Sequence, residues 1–202
     1  MKRMIPETQT GLDTHIRFDW ITGGMHGSAI EVSCRKLGQL QSLFRDQARV
    51  VELSPETLVY RVECWYPVEP GTLGGLFWGV TTIAPGKVGD EYFMTHGHFH
   101  EVADRAEFYI TVRGRGALLL MDRLGRTRFE PMESGSMHYI PGGVAHRVAN
   151  TGETPLVFAG CWPSDAGHDY GTIRTSAFGA RMRDVNGEPV LVPEADYVCP
   201  CH

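Results

Sequence analysis

The chain has 202 residues, a formal net charge of -5 and 21% charged residues. This length suits one domain around one core, and an acidic chain without a basic field is not typical of a nucleic-acid binder. No apolar run approaches the roughly 20 residues that span a bilayer, and the N-terminus lacks the apolar stretch of a signal peptide, so we expect a soluble, cytoplasmic protein that acts on a small molecule without membrane contact.

One helix is predicted near the N-terminus. Residues 36–51 carry four apolar side chains at the three-and-four spacing of an amphipathic helix: Leu37, Leu40, Leu43 and Phe44. We therefore expect residues 1–57 to form an arm with one short helix that packs on the main domain.

The sequence between residues 58 and 175 predicts strands. It contains about eight short runs rich in β-branched and aromatic residues, separated by Gly and Pro. An unbroken series of this kind indicates an all-β sandwich or barrel rather than an alternating α/β sheet. The last segment, 176–202, has a turn and a short apolar run, which predict either an edge strand or a flap.

The five cysteines are an odd number and are scattered along the chain, so we expect reduced thiols. The C-terminal sequence CPCH could bind zinc through Cys199, Cys201 and His202. It lacks a second ligand pair, however, and a frayed terminus is the favoured interpretation.

The stretch THGHFHEVADRAE contains a candidate metal site. In a strand, His98 and His100 would project to one face about 7 Å apart, where they could bind one ion. A chain reversal over residues 101–106 would return the next strand antiparallel beside the histidines, with Glu107 at its start. Since Glu101 points away from the two histidines, Glu107 is the better carboxylate ligand.

A fourth ligand candidate, His146, lies in a longer pattern. The stretch SGSMHYIPGGVAHRVANTG resembles the second cupin motif at each fixed position: Gly135, Pro141, Gly143, His146 and Asn150. The first cupin motif is present in the two histidines and Glu107, with Gly114 seven residues on, although its spacer is longer than usual and its leading Gly is missing. The resemblance implies a single cupin jelly-roll barrel.

Three imidazoles and one carboxylate leave open positions on an octahedral ion such as Fe(II), Mn(II) or Ni(II), and they can also accept Zn(II). We expect one divalent ion per chain, with Fe(II) or Mn(II) favoured. The open positions imply chemistry or ligand binding at the ion.

Within the cupins, the chain resembles the cupin-type phosphoglucose isomerases over roughly residues 76–170. The positions that carry this resemblance run from a Thr through a Pro-Gly turn to the histidine motif: Thr81, Pro85, Gly86, Thr95, Gly97, His98, His100, Glu107 and Tyr109. The resemblance implies interconversion of glucose 6-phosphate and fructose 6-phosphate, and a homodimer.

The resemblance also implies roles for individual residues. Phosphate would bind at Thr81, Thr95 and Gly97, and the metal at His98, His100, Glu107 and His146. Either a proton or a hydride could move between C1 and C2, and Glu107 is the candidate base. Tyr109 could hydrogen-bond the substrate from the same side, or it could be an ordinary core tyrosine.

Two positions depart from the family pattern. Trp162 stands where an aromatic residue, often Tyr, is usual, so it keeps a stacking surface without the hydroxyl. His138 stands where apolar residues are usual, and we expect it to face solvent, with a place behind the metal ligands as the alternative. His168 and Tyr170 lie where the chain can reach the sugar.

The alternation of the histidine stretch gives one further expectation. Thr95 and His98 lie an odd number of positions apart, so both can face the site only if the strand bends or bulges at Gly97. That bend would turn His96 outward, and it predicts that His96 and Glu101 are not ligands.

The sequence thus predicts a metal-dependent aldose–ketose isomerase. The alternatives are a cupin dioxygenase, another sugar-phosphate isomerase or epimerase, and a non-catalytic cupin that senses a metal or sugar.

Overall fold

The structure is a computed structural model that describes residues 15–176 and 178–194. Its strands, in chain order, are β1 (Arg17–Phe18), β2 (Met25–His26), β3 (Ile30–Lys36), β4 (Leu58–Trp65), β5 (Leu76–Ile83), β6 (Lys87–Val88), β7 (Glu91–Tyr92), β8 (Glu107–Arg113), β9 (Arg115–Met121), β10 (Thr127–Glu133), β11 (Met137–Ile140), β12 (Ala145–Asn150), β13 (Leu156–Pro163), β14 (Ala180–Val185) and β15 (Glu188–Pro193). The helices are α1 (Leu37–Leu40), α2 (Gln47–Val50) and α3 (Tyr170–Ser176), with a 3₁₀ turn at Gln41–Leu43.

The strands form two main layers. A six-stranded antiparallel sheet has the order β11-β8-β13-β5-β4-β3, and a three-stranded sheet has the order β10-β9-β12. The two layers face each other across the interior, where the rings of Tyr109 on β8 and His146 on β12 lie 5.8 Å apart. The all-β jelly-roll expectation is confirmed.

The eight predicted runs correspond to β4, β5 and β8 to β13. β9 and β12 lie in the interior, and all six residues of β12 are buried. β8 packs only its inner face, so the buried Glu107 is followed by the exposed Phe108. This difference explains why β9 has a continuous apolar run while β8 mixes polar and apolar residues.

The expectation of one helix over residues 36–51 is wrong. The chain makes two four-residue helices separated by the 3₁₀ turn and by Phe44, whose backbone is extended at φ -90° and ψ 141°. Asp46 starts the second helix, since its side chain accepts a hydrogen bond from the backbone N–H of Arg49. The helical spacing of Leu37, Leu40 and Leu43 is nevertheless real, because each short turn buries its apolar side chains in the core.

Several elements were not predicted. β3 lies in the N-terminal segment and forms one edge of the six-stranded sheet, while α3 follows β13 after a loop of residues 164–169. The C-terminal segment, where an edge strand or a flap is expected, contains β14 and β15, which pair as a hairpin and join β7 and β6 in a four-stranded sheet with β15 at its edge. The small β1–β2 hairpin covers part of the outer face of the large sheet through Met25 and Phe18.

The cysteines that the structure describes, Cys34, Cys64 and Cys161, are free thiols, as expected. The candidate zinc residues Cys199, Cys201 and His202 lie outside the described residues. None of the described helices has the length and apolarity needed to cross a bilayer.

Candidate functional site

Four of the predicted ligands converge inside the jelly roll. His98, His100, Glu107 and His146 each offer one ligand atom, and these atoms all lie within 4.8 Å of one another. His98 and His100 come from the segment before β8, Glu107 is the first residue of β8, and His146 lies on β12. Residues distant in the sequence therefore meet at one point.

The way in which the strands bring the ligands together differs from the expectation. The His98 and His146 backbones exchange two hydrogen bonds, with N···O distances of 3.2 and 3.1 Å, so the histidine segment pairs with β12. β8 pairs with β11 and β13 instead. The prediction that the Glu107 strand returns beside the histidines is wrong, because Glu107 reaches them across the interior from the opposite layer.

A β-bulge separates the histidine pair from the residues before it. Thr95 donates its N–H to the carbonyl of Val148 at 2.9 Å, so two residues, His96 and Gly97, lie opposite only Arg147. Gly97 has a φ of +77°, a left-handed conformation that Gly adopts readily. The bend expected at Gly97 is confirmed.

The two residues predicted not to be ligands lie outside the four-residue cluster. Glu101 is exposed. His96 is half-buried, and its ring lies 5.0 Å from that of Tyr170 at the wall of the same cavity. His96 is therefore not turned away from the cavity, as had been expected, although its nitrogens do not join the four ligand atoms.

The ligand atoms of the cluster that have no hydrogen-bond partner fit a metal ion. Three buried atoms in it, His98 Nε2, His146 Nε2 and Glu107 Oε1, have no hydrogen-bond partner. His146 Nε2 approaches Glu107 Oε1 to 2.5 Å without hydrogen-bond geometry. Buried polar atoms without partners are rare in native proteins, and a shared cation would satisfy all three at once.

His100 has the support that metal-binding histidines usually have. Its Nδ1 lies 2.8 Å from the backbone carbonyl oxygen of Arg105, which leaves Nε2 directed at the cluster, 3.7 Å from Glu107 Oε1. A hydrogen bond to the outer ring nitrogen fixes both the tautomer and the ring orientation.

The charge states in the cluster also suit a cation. Burial raises the pKa of Glu107, but attraction to His146, followed by attraction to His100, outweighs it and lowers the pKa to about 2. Burial, followed by the charges of His146 and His168, holds the pKa of His98 well below its usual value. At neutral pH the site therefore offers a carboxylate and at least one neutral imidazole.

A cavity of about 240 Å³ opens onto this cluster. The six predicted substrate contacts all line it: Thr81, Thr95, Gly97, Trp162, His168 and Tyr170. Tyr109 lines it too, and burial, followed by the charge of Glu107, raises the Tyr109 pKa well above 10.0. The Tyr109 hydroxyl therefore keeps its proton and can act as a hydrogen-bond donor.

Sequence reasoning missed part of the cavity wall, which comes from the inner faces of β3 and β4. Arg35 and Tyr60 are register partners on these strands and both line the cavity. Burial raises the pKa of Tyr60 and of Tyr170, and the charge of Arg35 opposes the rise in both. The guanidinium therefore lies near both phenols. The alternating pattern of residues 30–36 is the sequence signal that could have revealed this strand.

Three hydroxyl-bearing residues, Tyr60, Thr95 and Tyr170, form what we call the hydroxyl patch. The Tyr60 hydroxyl lies 3.5 Å from the backbone nitrogen of His96, and Tyr170 stacks parallel to His168 with ring centroids 5.6 Å apart. His168 in turn lies 4.4 Å from His98, measured between centroids, so the cavity leads from the hydroxyl patch to the cluster.

The expectation that His138 faces solvent is wrong. It is 6% exposed and lies on the inner face of β11, opposite Tyr109. Its Nδ1 is 2.8 Å from Glu130 Oε2, and its Nε2 is 2.9 Å from Ser136 Oγ. Since both ring nitrogens have partners, a polar side chain is tolerated where an apolar residue was expected.

Comparison with known proteins identifies one matching family and several similar proteins. The family model described as glucose-6-phosphate isomerase matches residues 34–199. The glucose-6-phosphate isomerase of Pyrococcus horikoshii is 40% identical over 180 residues, which cover 88% of this chain and 93% of that protein. The enzyme of the same name from Thermococcus litoralis is 38% identical over 179 residues, 87% of this chain and 92% of that protein. A solved structure of oxalate decarboxylase from Bacillus subtilis superposes on 54% of this chain and 26% of its own, with a TM-score of 0.42 and 21% identity.

Proposed function

This chain belongs to the cupin-type glucose-6-phosphate isomerase family and is an isomerase, and on that premise we propose that it interconverts glucose 6-phosphate and fructose 6-phosphate with a bound divalent metal ion. The observation that carries the proposal is the set of unpartnered ligand atoms of His98, His146 and Glu107 at one cavity that also contains the hydroxyl patch. A sugar phosphate offers carbonyl and hydroxyl oxygens to a metal ion held by these atoms, and an anionic end to the donors around Thr95, which belongs to the hydroxyl patch.

We assign the metal to His98, His100, Glu107 and His146. When bound, a divalent ion supplies polarisation of the oxygens on C1 and C2, where charge develops as the aldose becomes the ketose. Fe(II) or Mn(II) is favoured for this ligand set, while Zn(II) and Ni(II) are also compatible.

We assign the phosphate to the part of the cavity lined by Thr81, Thr95 and Gly97. Hydroxyl and backbone N–H donors suit phosphate oxygens, and the nearby guanidinium of Arg35 adds positive charge. With the phosphate there, the carbon chain extends past Trp162 and His168 towards the cluster.

Glu107 is the proposed base. It takes the proton from C2 of glucose 6-phosphate and returns it to C1, while a second proton moves from the C2 oxygen to the C1 oxygen. Tyr109, whose hydroxyl remains protonated, donates a hydrogen bond to a sugar oxygen. If a hydride moved directly from C2 to C1, Glu107 would have only its ligand role.

An isotope experiment separates these two routes. Glucose 6-phosphate labelled with deuterium at C2 should lose part of its label to water if Glu107 carries a proton. Complete retention of deuterium in the fructose 6-phosphate product would favour the hydride shift, in which Glu107 has only its ligand role.

The proposed reaction has a direct test. Purified protein loaded with Mn(II) or Fe(II) should convert fructose 6-phosphate to glucose 6-phosphate, detected by a coupled dehydrogenase, and the chelated protein should not. The absence of turnover with every divalent metal would refute the proposal. Oxygen consumption with a diol or thiol would then favour the dioxygenase, and binding without turnover would favour the sensor.

We propose that the protein forms a homodimer through the outer face of the six-stranded sheet. Phe108 and Met137 on this face are 47% and 65% exposed, and Tyr139 lies beside them. A patch of large apolar side chains on one sheet face is typical of a protein interface. Sedimentation should give a dimer for the wild type and a monomer for Phe108→Lys; a monomeric wild type would contradict the proposal.

A further inference from the structure

Arg147 is buried without a carboxylate partner. It is 3% exposed, and in the described part of the chain no carboxylate oxygen lies within ion-pair distance of it. Its Cζ lies 4.4 Å from the ring centroid of Phe178. A buried charge is normally neutralised by an opposite one, because its removal from water is unfavourable.

The carboxylate of Glu91 does not neutralise this charge. The negative charge of Glu91 acts on Arg147, but both of its oxygens are already bonded to other groups. One oxygen accepts a hydrogen bond from the backbone N–H of Arg45 at 2.7 Å, and the other accepts one from Arg181 Nη1 at 2.8 Å. The guanidinium of arginine keeps its proton in proteins, so Arg147 is charged at neutral pH.

The hydrogen bonds of Arg147 go to the β-bulge. Its Nε and Nη2 both donate to the carbonyl oxygen of His96, at 3.2 and 2.7 Å. A Cβ on Gly97 would lie 3.1 Å from Arg147 Nε, so the guanidinium packs directly against the residue that lines the cavity. Among the described residues, the Gly97 N–H has no hydrogen-bond partner.

We propose that Arg147 is a positioning residue for phosphate: it fixes the His96–Gly97 bulge through the His96 carbonyl, and its unneutralised charge favours an anion on the cavity side of that bulge. This inference rests on the proposed function, which assigns the phosphate to Thr81, Thr95 and Gly97. Because the bulge carbonyl is held from behind, the donors around Gly97 stay oriented before substrate arrives.

The test uses inorganic phosphate, which binds without turnover. Its affinity for the metal-free protein is measured by calorimetry for wild type, Arg147→Gln and Arg147→Lys. The Gln variant should bind phosphate about tenfold more weakly, the loss expected for one charge-assisted interaction, and the Lys variant should fall between the two. With metal, the Gln variant should raise KM for fructose 6-phosphate by a similar factor and change kcat less.

Arg183→Gln is the matched control. It also removes one positive charge, but Arg183 pairs with Asp90 and does not line the cavity. This variant should keep the phosphate affinity of wild type. If it loses as much affinity as Arg147→Gln, net charge rather than position explains the effect, and the proposal fails.

Other outcomes also decide the question. A folded Arg147→Gln with reduced thermal stability but unchanged phosphate affinity would show that Arg147 is only structural. If that variant does not unfold cooperatively, Arg147→Lys decides, since it keeps the charge but loses one hydrogen bond to His96, and affinity equal to wild type would overturn the proposal. A wild type that binds phosphate but isomerises nothing would refute the proposed function alone, whereas one that isomerises fructose 6-phosphate but binds no phosphate would refute the role of Arg147 alone.

Discussion

His96 and His98 are two residues apart, but only one of them has a free buried nitrogen. His98 Nε2 has no hydrogen-bond partner, whereas His96 Nδ1 lies 2.9 Å from the carbonyl oxygen of Gly97 and its ring contacts Tyr170. Both histidines line the cavity, but only His98 has a ring nitrogen available to a metal ion, because the bulge changes the direction of the chain between them.

We predict that His98→Ala lowers the metal content of the purified protein severalfold, because it removes a ligand whose nitrogen has no other partner. His96→Ala should keep the metal content of wild type. Elemental analysis of both variants after identical metal loading checks this. Equal loss in both, or loss only in the His96 variant, would contradict the ligand assignment.

The ligands also predict how metal binding depends on pH. Burial lowers the pKa of His100, but attraction to the Glu107 carboxylate outweighs it and raises the pKa above 6.5. A raised pKa stabilises the metal-free fold below the unfolded-state value, and this contribution is lost as pH rises through the folded-state value. A metal ion must displace that proton, so acid favours the metal-free form.

The difference in thermal unfolding temperature between metal-loaded and metal-free protein should therefore shrink as pH falls from about 7.5 to about 5.5. Glu107 does not contribute in this window, because its pKa is already lowered to about 2. Calorimetry at both pH values, with and without Mn(II), measures the difference. A constant difference would mean that no protonated ligand competes with the ion.

The buried hydrogen bonds of His138 predict that its removal lowers stability but leaves metal binding unchanged. His138→Ala should lower the free energy of unfolding by about 1–3 kcal/mol, because Glu130 and Ser136 lose a buried partner. Its metal content should remain that of wild type. Denaturant unfolding and elemental analysis check the two parts, and loss of metal would instead support the alternative place behind the ligands.

At the scale of elements, the close packing of Gly79 on β5 against Trp162 on β13 positions the Trp162 ring in the cavity wall. A Cβ on Gly79 of β5 would lie 2.8 Å from Trp162 Cη2 and 3.2 Å from the carbonyl oxygen of Glu63. Gly79→Ala should therefore displace the Trp162 ring and raise KM for the sugar phosphate severalfold. Gly152→Ala is the control, since its nearest neighbour, Arg115 Cβ, would lie at 3.4 Å. Steady-state kinetics compares the two, and equal KM values would contradict this role of Gly79.

The sequence predicted strands better than it predicted their partners. β-branched and aromatic runs between Gly and Pro are local signals, and they identified β4, β5 and β8 to β13. The partner of the histidine segment is not local: His98 pairs with His146, which is 48 residues on along the chain, and no short pattern records that choice. β3 has an alternating pattern that marks it as a strand, but the place of Arg35 in the cavity wall depends on the pairing of β3 with β4, which is equally non-local.

The ligand set was nevertheless predicted, since a motif preserves the residue types and spacing that the metal requires even when strand pairing is unknown. The prediction of one helix over residues 36–51 failed although its local spacing was recognised correctly. Burial of Leu37, Leu40 and Leu43 requires apolar residues at that spacing, but separate turns satisfy it as well as one helix does. Periodicity therefore identified the buried face correctly and its continuity incorrectly.

Across the whole molecule, the proposed metal joins two layers. Glu107 belongs to the six-stranded sheet and His146 to the three-stranded sheet. We predict that saturating Mn(II) stabilises the fold by about 2.7 kcal/mol at a concentration a hundredfold above its Kd, by mass action on the folded state. Calorimetry measures the shift, and His98→Ala should reduce it strongly. An equal shift in both proteins would point to binding elsewhere.

The bulge at His96 and Gly97 also makes the counting of residues along this strand critical. If residues 95–98 formed a regular strand without the bulge, the odd offset between Thr95 and His98 would place their side chains on opposite faces. If Thr95 stayed in the cavity, both metal histidines would then lie outside it; if the histidines stayed, the threonine would be lost. The one extra residue of the bulge thus determines which side chains of this segment face the cavity. It allows one strand to contribute to both the phosphate end and the metal end of the proposed substrate site.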